Sequence, residues 1–189
     1  AKEARATLRN NMPKMKTHVS NLDGEKSHKV GGTGIALNDN KHITIPEPRT
    51  RNFKDLCGEG RVGMYGLNLG PNICSTFYIL YGYTNGDACP EARERTHDLC
   101  DIILEESNAQ DKGPFYIVGD LNASISKLQA MQDAIATGKI IDVGAQASLF
   151  GSINNQETCR ARPDSLGTRR DYVLASPGAY DLIQSFKVD

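Results

Sequence analysis

Asp120 and Asn122 stand two positions apart in Gly119-Asp120-Leu121-Asn122, directly after the apolar run Phe115-Tyr116-Ile117-Val118. Side chains two apart on an extended backbone point to the same side. A carboxylate and a carboxamide could thus converge on one phosphate, one metal-bound water or one attacking nucleophile. The same residue types also make turns, because Asp and Asn bond to nearby backbone and tolerate left-handed conformations. A second carboxylate, Asp171, follows Arg169-Arg170 and opens the run Tyr172-Val173-Leu174-Ala175. It is expected to be at least partly buried, and an unpaired buried charge is expensive. It therefore either bonds to Arg169 or orients a histidine.

These groups need strands to carry them. Residues 115–118 follow a Gly-Pro break and are aromatic or β-branched, the signature of a strand buried on both faces. Further strands are expected over 33–37, 43–45, 62–69, 76–81, 140–143, 172–175 and 182–186, with Gly70-Pro71-Asn72 turning an antiparallel hairpin. Pro90 opens a helix to about residue 107, whose stripe is Ala92, Thr96, Leu99, Cys100 and Ile103. Leu128, Met131 and Ile135 space a shorter helix, with Ser126 as its cap. Residues 1–29 read as a polar amino-terminal segment of the same domain, with a helix over 4–10. Residues 30–189 hold the core. Alternating hairpins and helices predict an α/β protein of two packed sheets with helices outside.

Composition fits this plan. A chain of 189 residues with 39% hydrophobic content can bury a real core within one domain. It contains no apolar run near the length of a membrane span, and its first residues lack the apolar core of a secretory signal. It begins at Ala1 rather than Met and is expected to be a piece of something longer. The five cysteines have no paired metal spacing, and their odd number argues against a complete disulfide framework. An intracellular setting, nuclear or cytoplasmic, is expected. The net charge of −1 gives no global signature of a nucleic-acid binder. The basic residues Lys2, Arg5, Arg9, Lys14, Lys16, Lys26 and Lys29 nonetheless crowd the amino-terminal flank.

Taken in order, these pieces resemble the endonuclease/exonuclease/phosphatase superfamily, the group of exonuclease III, DNase I and the endonuclease domains of LINE-type retroelements. Its "GDxN" motif is matched by Gly119 to Asn122 and its "R-x-D-Y" strand by Arg169 to Tyr172. "GGTGIAL" from Gly31 resembles its glycine-led second strand, "GRVGMYGLNL" from Gly60 its next strand, and "FYILYGYTNGD" from Phe77 the strand ending in its tyrosine. Thr158 resembles the threonine that precedes the "R-x-D-Y" strand. The resemblance implies a DNase I-like four-layer α/β sandwich and metal-assisted cleavage of a phosphoester.

Such cleavage needs an aligned nucleophile, a group to take its proton, neutralisation of the non-bridging oxygens and help for the leaving oxygen. By resemblance, Asp120 activates or orients the water, and Asn122 holds it or a phosphate oxygen. Tyr81 contacts phosphate, with Tyr83 the alternative, and Asp171 pairs with the catalytic histidine. Glu3 resembles the glutamate metal ligand, and Mg²⁺, replaceable by Mn²⁺, is the implied cofactor. Arg160 and Arg162, in the long polar loop 148–166, and Arg169 are candidates to contact a phosphate backbone; the loop also reads as a plain connector.

Two departures matter. The family's first-strand asparagine and its histidine in an "SDH" motif have no counterpart here, and His18, His28, His42 and His97 read as surface residues. The chain is thus expected to be most of such a domain, trimmed at both ends and lacking its C-terminal strand and histidine motif, or a decayed copy; in either case very low turnover by this polypeptide alone is expected. Members that recognise abasic DNA carry a tryptophan where Thr168 stands, and this chain has no tryptophan. A DNA endonuclease of retroelement type is the first expectation. A phosphatase of phosphoinositides or other phosphoesters, and a non-catalytic domain that binds nucleic acid or a protein, are the alternatives. The phosphatase would call for an apolar membrane-docking loop, which the sequence does not reveal.

Overall fold

The computed structural model describes residues 15–19, 32–38, 42–70, 73–110, 113–160, 164 and 166–188. The helix expected over 4–10 lies outside them. Eight strands occur among the described residues. They are β1 (Met15–Val19), β2 (Gly34–Asn38), β3 (Ile43–Thr44), β4 (Val62–Gly70), β5 (Ile73–Tyr81), β6 (Phe115–Asp120), β7 (Ile141–Asp142) and β8 (Asp171–Ala175). β1 and β2 form a two-stranded antiparallel sheet, and the others form a six-stranded sheet in the order β3-β4-β5-β6-β8-β7. Only β5 and β6 run parallel. Their crossover is the long helix that Pro90 was expected to open, as a parallel pair requires.

One face of the large sheet packs on three helices: α1 (Arg51–Gly58), α2 (Pro90–Ala109) and α3 (Gln129–Ala136). Val62, Met64, Tyr78, Leu80, Ile117 and Leu174 meet Phe53, Leu99, Ile103 and Met131 there. Each fully buried large side chain stabilises the fold by about 1.5–3 kcal/mol. On the opposite face Phe77 stacks on Tyr116 at 4.6 Å between ring centres. Val118, Val173 and Ala175 continue this second core with Val143, Ala179 and Phe186. The β1–β2 pair lies beside β4 on this side, where the His18 ring is 6.3 Å from that of Tyr65 and the Tyr65 hydroxyl donates to the Thr33 carbonyl. Mixed sheets flanked by helices are the expected architecture.

Some local expectations change. Residues 182–186 form no strand; after the short helix α4 (Pro177–Tyr180), Ile183 and Phe186 pack on the second core without a ladder partner. Ser126 does not cap α3, because it lies within a 3₁₀ turn, Ile125–Lys127. The Ala130 N–H instead donates to His97 Nε2 at 3.2 Å. His97, expected on the surface, is half-buried and also meets Asp101 through Nδ1 at 3.3 Å. Helix α1 was not expected. Its start is held from a distance by the buried Glu106, whose carboxylate accepts from Arg49 N, Thr50 N and the Thr50 hydroxyl at 2.7–2.8 Å.

Candidate active site

Strand register gathers the site. Tyr81 is paired Cα to Cα with Asp120 in the β5–β6 ladder, and Asp120 with Asp171 in the β6–β8 ladder. Residues opposite one another project from the same face with Cβ atoms about 4.5–5.5 Å apart. The phenol and both carboxylates thus form one row across the end of three strands, on the face of the second core. Ile79, Val118 and Val173 make the next row of that face.

The glycine before Asp120 is dictated by packing. Gly119 has φ +153°, a conformation side chains rarely adopt, and a Cβ there would run into the Leu80 backbone of β5. Beyond Asp120 the chain turns sharply: Asn122 takes φ +51° and donates its N–H to Asp120 Oδ1 at 2.7 Å. Its side-chain Nδ2 donates to the Gly82 carbonyl at 3.2 Å. The turn chemistry and the clustering of polar groups therefore coexist, and the buried Asn122 braces Asp120. Asp87 ties down the following loop by accepting from Ser124 N at 2.9 Å, with Lys127 beside it. Burial would raise the Asp87 carboxyl, but the Ser124 and Lys127 bonds hold it below its ordinary value.

Asp120 behaves oppositely. Burial first, and then the negative charge of Asp171, push its carboxyl above the ordinary aspartate value, although the Asn122 N–H and the Arg170 charge pull downward. Thr158 fixes the other side of the row, its hydroxyl accepting from the backbone N–H of both Arg170 and Asp171 at 3.0 Å. Below Asp171 lies a cavity of about 230 Å³ lined by Val118, Val173, Gln156, Thr158, Phe186 and Val188 among others.

The remaining candidates fall elsewhere. Asp171 is exposed rather than buried. Arg169 does not pair with it but binds both carboxylate oxygens of buried Asp142, at 2.9 Å through Nη1, and reaches Asn155 as well. Tyr83 is buried away from the row, with its hydroxyl accepting from Arg95 at 2.9 Å. Arg160 is exposed and pairs with Glu157 at 3.0 Å. Glu3, Arg162 and His28 lie outside the described residues. His18, His42 and His97 sit on β1, beside β3 and on α2, and none lines the cavity below Asp171. No group of three His, Cys, Asp or Glu side chains able to hold a metal occurs among the described residues.

Two features escaped the sequence reading. Arg61 is buried beside Tyr81, and its only outward sign is a cation at the start of an apolar strand. Gly144 leaves the space that the Arg169 guanidinium occupies, and a Cβ would fill it. Nothing local in either stretch announces the pairing.

The sequence of residues 7–185 matches the model of the Endonuclease/Exonuclease/phosphatase family. The chain belongs to this family. Solved structures share its fold at low identity. An AP endonuclease from Leishmania major is 14% identical with a TM-score of 0.65, over 94% of this chain and 67% of that one. The truncated TDP2 of Caenorhabditis elegans is 14% identical with a TM-score of 0.59, over 90% of this chain and 65% of that one. A mannosyl-6-phosphatase from Bacteroides thetaiotaomicron is 15% identical with a TM-score of 0.58, over 91% and 66%. The chain thus spans just under two thirds of two of these solved structures. No curated protein sequence matches it. Among the described residues no helix is long and apolar enough to cross a membrane.

Proposed function

We propose that the chain is a Mg²⁺-dependent phosphodiester hydrolase that cuts DNA, an endonuclease of retroelement type. The observation that carries this reading is the Tyr81–Asp120–Asp171 row at the end of the large sheet. Opposed like charges destabilise a ladder, so a purely structural role gives no reason to keep them. In the proposed reaction Asp120 holds the attacking water and takes its proton. Asn122 keeps that carboxylate in place, and the Tyr81 hydroxyl donates to a non-bridging phosphate oxygen. The donors present are hard oxygens, and a dication relieves the repulsion between the carboxylates, so the residues fit Mg²⁺ or Mn²⁺. Glu3 is the further carboxylate we assign to the metal. When bound, the ion neutralises charge on the phosphate and its leaving oxygen. Asp171 would supply charge to hold the ion, and Arg160 and Arg162 would contact the DNA backbone.

A second reading has an observation of its own. Leu149, Ile153 and Leu166 are 72%, 69% and 92% exposed, and Ile153 also lines the cavity. Apolar knobs of this kind would suit a phosphatase acting at a lipid surface. Nicking of supercoiled plasmid in Mg²⁺, run beside phosphate release from phosphoinositide vesicles, decides between them. Nicking without phosphate release supports the endonuclease. Phosphate release alone overturns it, and DNA binding with neither activity makes the chain a binding domain.

A further inference from the structure

Arg61 is 3% exposed, and among the described residues no carboxylate pairs with it. Its Nη1 donates to the Gly82 carbonyl at 3.0 Å and lies 3.5 Å from that of Tyr81. The guanidinium carbon is 5.3 Å from the Tyr81 ring centre and 4.2 Å from that of Tyr83. Its Nε is buried without a hydrogen-bond partner. A buried cation with no counterion is costly, and an apolar side chain at this strand start would pack at less expense. The same Gly82 carbonyl accepts from Asn122 Nδ2, and the Gly82 N–H donates to the Asp120 carbonyl at 2.7 Å. One residue, Gly82, therefore joins Arg61 and Asn122 through its carbonyl to Asp120 through its N–H, while the guanidinium lies over the Tyr81 ring. Gly82 cannot change, since a Cβ would strike the Leu121 backbone.

We propose that Arg61 is a positioning residue for the hydrolytic row: its planar, two-sided guanidinium holds the Tyr81–Gly82 segment, and through it Asn122 and Tyr81, in the reactive arrangement. This rests on the hydrolase reading above. Lysine cannot reproduce it, because an ammonium lacks the flat face that stacks on both rings.

The test compares wild type with Arg61→Lys and Arg61→Met, measuring kcat and KM for Mg²⁺-dependent nicking, the thermal midpoint, and the NMR shifts of the Asn122 side-chain amide. The expected result for both folded variants is a kcat lower by roughly 10- to 100-fold, as for small misplacements of reacting groups. KM should be little changed and the Asn122 amide shifted. Wild-type kcat in folded Arg61→Lys or Arg61→Met overturns the proposal. Failure of both variants to fold also overturns it, making Arg61 a stability residue. An inert wild type refutes the hydrolase reading instead, and the Asn122 amide then decides: unchanged shifts in Arg61→Lys reject the positioning role, and displaced ones support it.

Discussion

Asp120 and Asp171 face each other across β6 and β8, registered Cα to Cα, and the charge of Asp171 helps to push the Asp120 carboxyl upward. If the proton acceptor of the reaction is Asp120, the acid limb of the kcat/KM profile lies above an ordinary aspartate value. Asp171→Asn should move that limb to lower pH, but only part of the way, because burial is the larger cause and persists. An unmoved limb in Asp171→Asn would detach Asp120 from the profile.

The same shift has a consequence for stability. The folded-state pKa of Asp120 is raised, so its ionised form is less favourable folded than unfolded. That penalty is absent below the unfolded value and complete above the folded one. Asp120→Asn keeps an oxygen for the Asn122 N–H and should raise the thermal midpoint at neutral pH while abolishing turnover. The gain should vanish in acid. Calorimetry at both pH values checks it.

Glu106 has the opposite sign. Burial would raise its carboxyl, but bonds from Arg49, Gln110 and Thr50 hold it below its ordinary value. Its stabilisation is present above the unfolded pKa and lost as pH falls through the folded one. Glu106→Ala should cost about 2–3 kcal/mol at neutral pH, the scale of hydrogen bonds to a charged group. Denaturant unfolding should show that difference shrinking in acid.

Arg169 and Arg160 should separate cleanly. Removing one partner of a buried pair costs about 3–5 kcal/mol, so Arg169→Ala should destabilise the fold strongly through Asp142. Arg160→Ala should leave stability within about 0.5 kcal/mol, the usual range for surface changes. It should weaken DNA binding and reduce the salt slope by about 1. Unfolding curves and binding isotherms at several salt concentrations measure both.

What could be read from the chain follows local physics. Phe115–Asp120 and Asp171–Ala175 were visible as strands because apolar runs met glycine and charge at their ends, and Pro90 marked the start of α2. The joining of Tyr81, Asp120 and Asp171 followed from family order, since register is not written in any one segment. Asp171 was expected to be at least partly buried because its strand is, yet it opens β8 beyond β7, which pairs only with Leu174 and Ala175, and stands exposed. The Arg169–Asp142 pair, the Glu106 hold on α1 and the place of Arg61 are long-range pairings between segments that look ordinary alone.

Metal-dependent hydrolysis by the Tyr81–Asp120–Asp171 row can be measured directly. Initial rates of supercoiled plasmid nicking in Mg²⁺ and in EDTA, for wild type and for Asp120→Ala with its fold verified by thermal unfolding, address it most directly. Hydrolysis by the row requires nicking by wild type that EDTA abolishes and that falls by about 100-fold or more in Asp120→Ala, the scale of a lost general base. Equal rates for Asp120→Ala and wild type, or nicking indifferent to EDTA, would contradict it.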